Sequence, residues 1–257
     1  MGVIVNIDFE QQSPEIKDCV KSYWTKRADS FFDIRREELE SKKAEQWLEE
    51  INVLLKEKKD LKILDVGCGA GFFEVLMGKE GHSVTGIDLT EDMIGKANEM
   101  IRIYELDPER VRAMQMDAEK LDFEDETFDV VISRNLTWTL PHPIAAYREW
   151  FRVLKKGGVL LNFDAEYAKH AHENLYSPEN IAHTGISDDM KDECHEIYHM
   201  LTVSALERPF WDEAILKVIG FEEIASDKGF ADRVYVEKDR FYTPDRMFSI
   251  RAVKADA

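Results

Sequence analysis

Two rhythms divide the chain. From Pro14 to about position 60 apolar residues recur at helical spacing. Ser13 stands as an N-cap with Pro14 at the first helical position, and KKAEQWLEEINVLLKEKK sets Trp47, Ile51 and Leu54 or Leu55 on one face. At Leu61 the pattern changes to short apolar runs (LKILDV, SVTGID, VRAMQM, FDVVIS, GVLLNF) separated by helical segments at 71–80, 90–105 and 144–154. Strands alternating with helices predict a parallel sheet with right-handed crossovers. The 144–154 helix is predicted to stop on Lys155, Lys156, Gly157 and Gly158, since cations and glycines close helices. From Ala165 to about Leu206 the strand rhythm disappears and histidines concentrate, which reads as a helical insertion or cap. FWDEAILKVIG then predicts a helix ending at Gly220, FEEIAS a strand, and MFSIRAVK a last strand able to pair antiparallel with it across 227–245.

Composition narrows the setting. With 257 residues, 44% of them hydrophobic, the chain can bury a core without staples, and a single domain is expected. The balance of 34 basic against 52 acidic residues gives −18, a field that repels phosphate backbones and anionic lipid, so neither nucleic acid nor membrane is an expected partner. Cys19, Cys68 and Cys194 are odd in number and widely spaced, unlike a disulfide framework or a metal knuckle. A reducing cytoplasm fits. No basic segment followed by an apolar one opens the sequence, and no apolar run approaches the roughly 18 residues of a membrane span.

The segment ILDVGCGAGFF carries the chemistry. A strand ends at Asp65 and Val66, and Gly67, Gly69 and Gly71 follow at alternate positions before a helix. Such glycines permit positive φ and let backbone approach a ligand near helix N–H groups. A dinucleotide fingerprint needs its third glycine where Phe72 stands, and no Gly-Lys follows for a phosphate loop. Asp65 would oppose a pyrophosphate and suits a ligand with a cationic amino group, which points to S-adenosylmethionine (SAM).

At this point the chain resembles the class I SAM-dependent methyltransferases, in particular the small-molecule branch that includes the ubiquinone and menaquinone methyltransferases. The resemblance rests on DVGCGAG, GIDLTEDMI, MDAEKLDF, FDVVISRNLTWTLPHP and AYREWFRVLKKGGVLLNFD, in order over 61–163. It implies a Rossmann-like α/β fold: a seven-stranded, mostly parallel sheet with an antiparallel last strand, a helical N-terminal lid (14–60), a cofactor core (61–164), a substrate cap (165–210) and a C-terminal helix and strand pair (211–257). Carried over residue by residue, it gives Asp88 to the ribose hydroxyls, where a carboxylate suits a vicinal diol, and Leu89 and Met93 to the adenine walls. Asp117 and Ala118 meet the adenine amine, and Arg134 the cofactor's ammonium through main chain. Tyr23, Trp24 and Arg27 of the lid are candidates for the cofactor carboxylate or sulfonium; Cys68 enters the set as a small loop residue.

Trp138, His142, Asp164, Glu166, Tyr167, His170 and His172 are the acceptor-side candidates, because open α/β sheets bind ligands outside the carboxyl ends of their strands. Asp164 or His142 would supply a general base if the acceptor holds a proton. The fourth strand lacks the (N/D)PP(Y/F) tetrad of nucleobase-amine methyltransferases, having Arg134-Asn135-Leu136-Thr137 instead. The implied reaction is methyl transfer from SAM to a small molecule, with S-adenosylhomocysteine as product. Transfer of another group, or silent SAM binding, stays open. HEIYH, His195 to His199, matches the zinc-peptidase HExxH, but no third ligand is placed convincingly after it, so no metal is expected.

Overall fold

The computed structural model describes residues 14–56 and 58–255, so the Ser13 cap lies outside the described residues. The helical preface is two helices, α1 (Pro14–Leu39) and α2 (Lys42–Leu54). Ser41 divides them: its hydroxyl donates to Glu38 O (2.8 Å) and accepts from Lys43 N (3.1 Å), closing one helix while capping the next. The alternating region follows as β1 (Lys62–Val66), α3 (Phe72–Lys79), β2 (Ser83–Asp88), α4 (Glu91–Ile103), β3 (Val111–Gln115), β4 (Phe128–Arg134), α5 (Pro143–Val153) and β5 (Leu154–Asp164). The 165–206 stretch is helical in fragments: α6 (Ala171–Asn174), α7 (Asp188–Met200) and 3-10 turns at Tyr167–His170, Ile181–His183 and Thr202–Ala205. The chain closes with α8 (Phe210–Ile219), β6 (Phe221–Asp227), α9 (Phe230–Val234) and β7 (Phe248–Lys254).

The strands form one seven-stranded sheet in the order β3-β2-β1-β4-β5-β7-β6, with β1 to β5 in parallel contact and β7 antiparallel to both neighbours. Chain direction along the sheet reverses between β1 and β4, which opens a crevice at their carboxyl ends. Strand side chains alternate between faces. Ile63, Val130 and Leu161 pack with α2, α3 and α4 on one side, while Leu64, Val131 and Leu160 pack with α5 and α8 on the other. Trp47 anchors the first core: fully buried, it meets the rings of Phe72, Phe73, Phe163 and Phe230 at 4.9–6.1 Å and donates Nε1–H to Tyr235 (3.2 Å). Of the two leucines weighed for its face, Leu55 is buried and Leu54 only half so.

One local expectation is corrected, and the antiparallel β6–β7 pair expected across 227–245 is present with an added helix between its strands. Lys155 to Gly158 do not end α5, because Leu154 already pairs with Phe128 in the sheet; Gly157, at φ +68°, sits in a bulge that re-registers the strand before Val159 meets Val130. Pairing with β4 wins over the helix stop. The 227–245 connection is no plain link between strands, since α9 drives Phe230 and Val234 into the Trp47 core.

Candidate active site

A cavity of about 170 Å3 opens at the carboxyl ends of β2 and β4, roofed by α1 and the cap. A second void beside Arg208 measures about 10 Å3, room for a water and no organic ligand.

One wall comes from the glycine loop and the end of β2. The N–H groups of Gly67 and Cys68 donate to Ile87 O (2.8 and 2.9 Å), and that of Gly69 donates to Asp88 Oδ2 (3.1 Å), while Thr90 N–H takes Oδ1 (2.9 Å). Three loop amides are thus held by the end of β2, and a carboxylate sits where a pyrophosphate would have to lie, so this is no phosphate cradle. Gly67 and Gly69 line the cavity. At φ +52° a Cβ on Gly69 would lie 2.9 Å from the Phe31 ring, so glycine is required here by backbone conformation and by the closeness of α1. Asp88, Leu89, Met93, Asp117 and Ala118 share the wall. Burial raises the Asp88 carboxyl above the usual range, against the pull of its backbone donors. The Asp117 carboxylate is already engaged, accepting from Glu119 N–H (2.9 Å) and from Lys17 Nζ (2.8 Å), which ties the start of α1 across the cavity mouth.

Three residues of the loop region turn elsewhere. Asp65, 2% exposed, lies off the cavity beside Glu74. Burial, with the charge of Asp88, pushes its carboxyl up to about 8, and Glu74 is raised with it. Neither Glu74 oxygen has a donor among the described residues. A proton shared between the two carboxyls satisfies both. Cys68 is buried off the cavity, its thiol raised by burial and by Glu74. Gly71 also lies off it, where a Cβ would meet Ala97 Cα at 3.1 Å: its role is close packing of α3 on α4.

The opposite wall joins distant segments: Tyr23, Trp24, Arg27 and Arg35 of α1, Arg134, Asn135 and Trp138 after β4, Tyr167, His183 and Tyr198 of the cap, and Phe241 and Met247 before β7. The Arg134 side chain forks onto Glu38 (2.9 and 3.1 Å) and stacks over Trp47, locking α1 to the end of β4. Asn135 takes φ +56°, a conformation asparagine tolerates, and its Oδ1 accepts from Tyr167 Oη (2.7 Å). Trp138 stacks with Tyr167 and Tyr198 at 5.4 and 4.8 Å.

The general-base candidates are corrected by their surroundings. Asp164 is completely buried and consumed by Arg208 (2.9 Å), the Trp138 and Ala165 amides (2.9 Å each) and the Thr137 hydroxyl. Arg208 also grips Asp212 (2.7–3.2 Å), so Asp164 belongs to a buried ionic knot joining β5, the cap and α8. Glu166 is spent on Arg208 N–H (3.0 Å) and Lys169 (2.7 Å). His142 lies off the cavity at the start of α5, and His170 is exposed on a 3-10 turn. His195 and His199 face each other at 4.5 Å on α7, and no group of three metal-capable side chains occurs among the described residues.

Sequence reasoning passed over His183 as a catalytic candidate, yet among the described residues it is the histidine that lines the cavity, the side chain of His172 lying outside them. Asn180 Nδ2 donates to Asn174 O (3.0 Å), which turns its Oδ1 toward His183 Nδ1 (2.7 Å); Nδ1 therefore carries the hydrogen and Nε2 is left as an acceptor. Burial and the neighbouring Arg27 and Arg35 push this imidazole down to about 4. Arg35 and Arg208 were also missed. Their roles rest on partners far along the chain, and no local spacing signals them.

Residues 64–162 match the methyltransferase domain family. Over that span the centre of the chain is similar to methyltransferase domains. It is 34% identical over 123 residues to the demethylmenaquinone methyltransferase of Listeria welshimeri (46% of this chain, 51% of that protein) and 39% identical over 97 residues to the phosphatidylethanolamine N-methyltransferase of Cereibacter sphaeroides (38% and 47%). The chain thus spans about half the length of these curated relatives. Its fold is similar to that of Haemonchus contortus phosphoethanolamine N-methyltransferase 2, solved with phosphomonomethylethanolamine and S-adenosylhomocysteine, at a TM-score of 0.56 and 20% identity over 82% of this chain and 57% of that one. Among the described residues no helix is long and apolar enough to cross a membrane.

Proposed function

We propose that the protein is a SAM-dependent methyltransferase acting on a small molecule, in one domain whose α1 serves as lid and whose 165–210 segment serves as cap. The observation that carries this reading is the Asp88 carboxylate, held at the cavity wall by Gly69 and Thr90 amides. Fixed by backbone, it presents acceptor lone pairs suited to a ribose diol. Leu89 and Met93 offer apolar walls for a base, the Asp117 carboxylate can accept from its exocyclic amine, and the Ala118 N–H can donate to a ring nitrogen. The turn at Arg134 and Asn135 faces the methionine end.

SAM supplies an electrophilic sulfonium methyl. This chain's part is to orient the acceptor, with Trp138, Tyr167 and Tyr198 packing its skeleton, and to exclude water beneath α1 and the cap. Where the acceptor carries a proton, His183 Nε2 is the acceptor placed to take it. The acidic surface and the absent nucleobase tetrad favour a small acceptor over nucleic acid.

Calorimetric titration with SAM and S-adenosylhomocysteine, with NADH as control, tests the reading. Micromolar binding of the first two alone is the expected result, and a product screen by mass then separates methyl transfer from transfer of a larger group. A folded, ligand-free sample that binds neither overturns the proposal.

A further inference from the structure

The cavity contradicts the surface around it. The chain carries a net −18, yet the cap-side half of the site is lined by three guanidiniums, Arg27, Arg35 and Arg134, of which Arg35 and Arg134 share one carboxylate, Glu38. Glu38 bonds Arg134 (2.9 and 3.1 Å), Arg35 (2.7 Å) and the Tyr235 hydroxyl (3.1 Å), so one anion already serves two guanidiniums. Arg27 is left over. It is 5% exposed, lines the cavity, makes no guanidinium hydrogen bond or ion pair among the described residues, and its Nε is buried without an acceptor. The acids nearby are engaged: Asp245 takes Asn174 Nδ2 (2.6 Å) and the Thr243 hydroxyl (3.1 Å), and Glu193 is drawn outward by Lys26 (2.8 Å). A buried guanidinium without a counter-charge is costly, and a site retains one where a ligand brings the anion.

We propose that the methyl acceptor is a small organic acid whose carboxylate or phosphate seats on Arg27, with Arg35 beside it. This rests on the methyltransferase reading above. The resemblance gave Arg27 to the cofactor's own carboxylate, but that group comes with an ammonium and a sulfonium, so the bound cofactor adds positive charge to the enclosure. An anionic acceptor balances it. His183 lines the same half of the cavity, and after burial its imidazole is lowered by Arg27 and Arg35 together. Trp24, Tyr198 and Phe241 line this half with aromatic surface for a carbon skeleton.

The test separates cofactor from acceptor. Wild type and Arg27→Met are titrated with S-adenosylhomocysteine and with methylthioadenosine, which lacks the amino acid; S-adenosylhomocysteine-saturated protein is then titrated with benzoate, phenyl phosphate and neutral benzamide. Wild type binds benzoate, phenyl phosphate or both and not benzamide, and the arm that binds identifies carboxylate or phosphate chemistry. Arg27→Met leaves S-adenosylhomocysteine affinity within about threefold and weakens the acid at least about tenfold, while Arg27→Lys restores most of it. Loss of S-adenosylhomocysteine but not methylthioadenosine affinity in Arg27→Met would assign Arg27 to the cofactor and overturn the proposal. So would equal binding of acid and amide, or binding of no acid, by wild type; these comparisons need no variant. Failure of wild type to bind S-adenosylhomocysteine at all is a separate outcome that overturns the methyltransferase reading itself.

Discussion

The two walls of the cavity are built by opposite strategies. The wall at Gly67–Gly69 and Asp88–Met93 uses short local segments and backbone hydrogen bonds, with glycines where α1 or a strand turn comes close. The wall at Arg27, Arg35, Arg134 and His183 uses side chains from α1, β4, the cap and the 235–247 segment, joined by buried ion pairs and stacked rings. Backbone geometry can be kept while surrounding side chains vary, so the first wall suits a ligand common to many enzymes. The second is assembled from side chains of distant segments, and the proposed acceptor site lies on it.

Four changes sharpen that contrast. The largest effect is expected at Glu38→Gln, which leaves two buried guanidiniums without their carboxylate and should lower stability by about 3–5 kcal/mol in denaturant melts. A melt within error of wild type would show that the clamp between α1 and β4 holds nothing. Asp88→Ala attacks the other wall and should weaken S-adenosylhomocysteine about a hundredfold with a smaller stability change. Unchanged calorimetric affinity in the folded variant would remove Asp88 from the cofactor site.

Asp65→Asn is expected to act through pH. Burial raises the Asp65 carboxyl from 3.8 to about 8, so in this window the folded state keeps a proton that the unfolded chain releases. Stability from the protonated pair is therefore full below 3.8 and lost as pH rises through about 8. Relative to wild type, the asparagine variant should gain stability progressively as pH rises from 3.8 to about 8 and keep that gain above it, and thermal scans showing a difference independent of pH would exclude the shared proton. The smallest effect belongs to His195→Ala on the cap's outer helix, which should leave S-adenosylhomocysteine affinity within about twofold, since the residue lies outside both walls. A larger loss would bring α7's histidine pair into the site.

Much of the scaffold was legible in the chain because its signals are local. The short apolar runs LKILDV and SVTGID marked two strands buried on both faces, and β2 runs Ser83–Asp88 as the apolar pattern indicated. The glycine spacing excluded a phosphate loop before any geometry was available. Asp65 and Asp164 were misread for one shared reason: each acidic residue at a strand end looks available in sequence, whereas its state depends on a neighbour brought up by folding, Glu74 in the first turn of α3 in one case and Arg208 from the cap's end in the other.

The sequence by itself therefore determined the strand order's raw material, the glycine loop, and Asp88 at its strand end, since hydrophobic period and backbone conformation are properties of adjacent residues. Only the tertiary structure decided which charges survive uncompensated in the cavity. Glu38 pairs with both Arg35 and Arg134 while no carboxylate among the described residues pairs with Arg27, and that accounting exists only once α1, β4 and the cap have been brought within a few ångströms of one another.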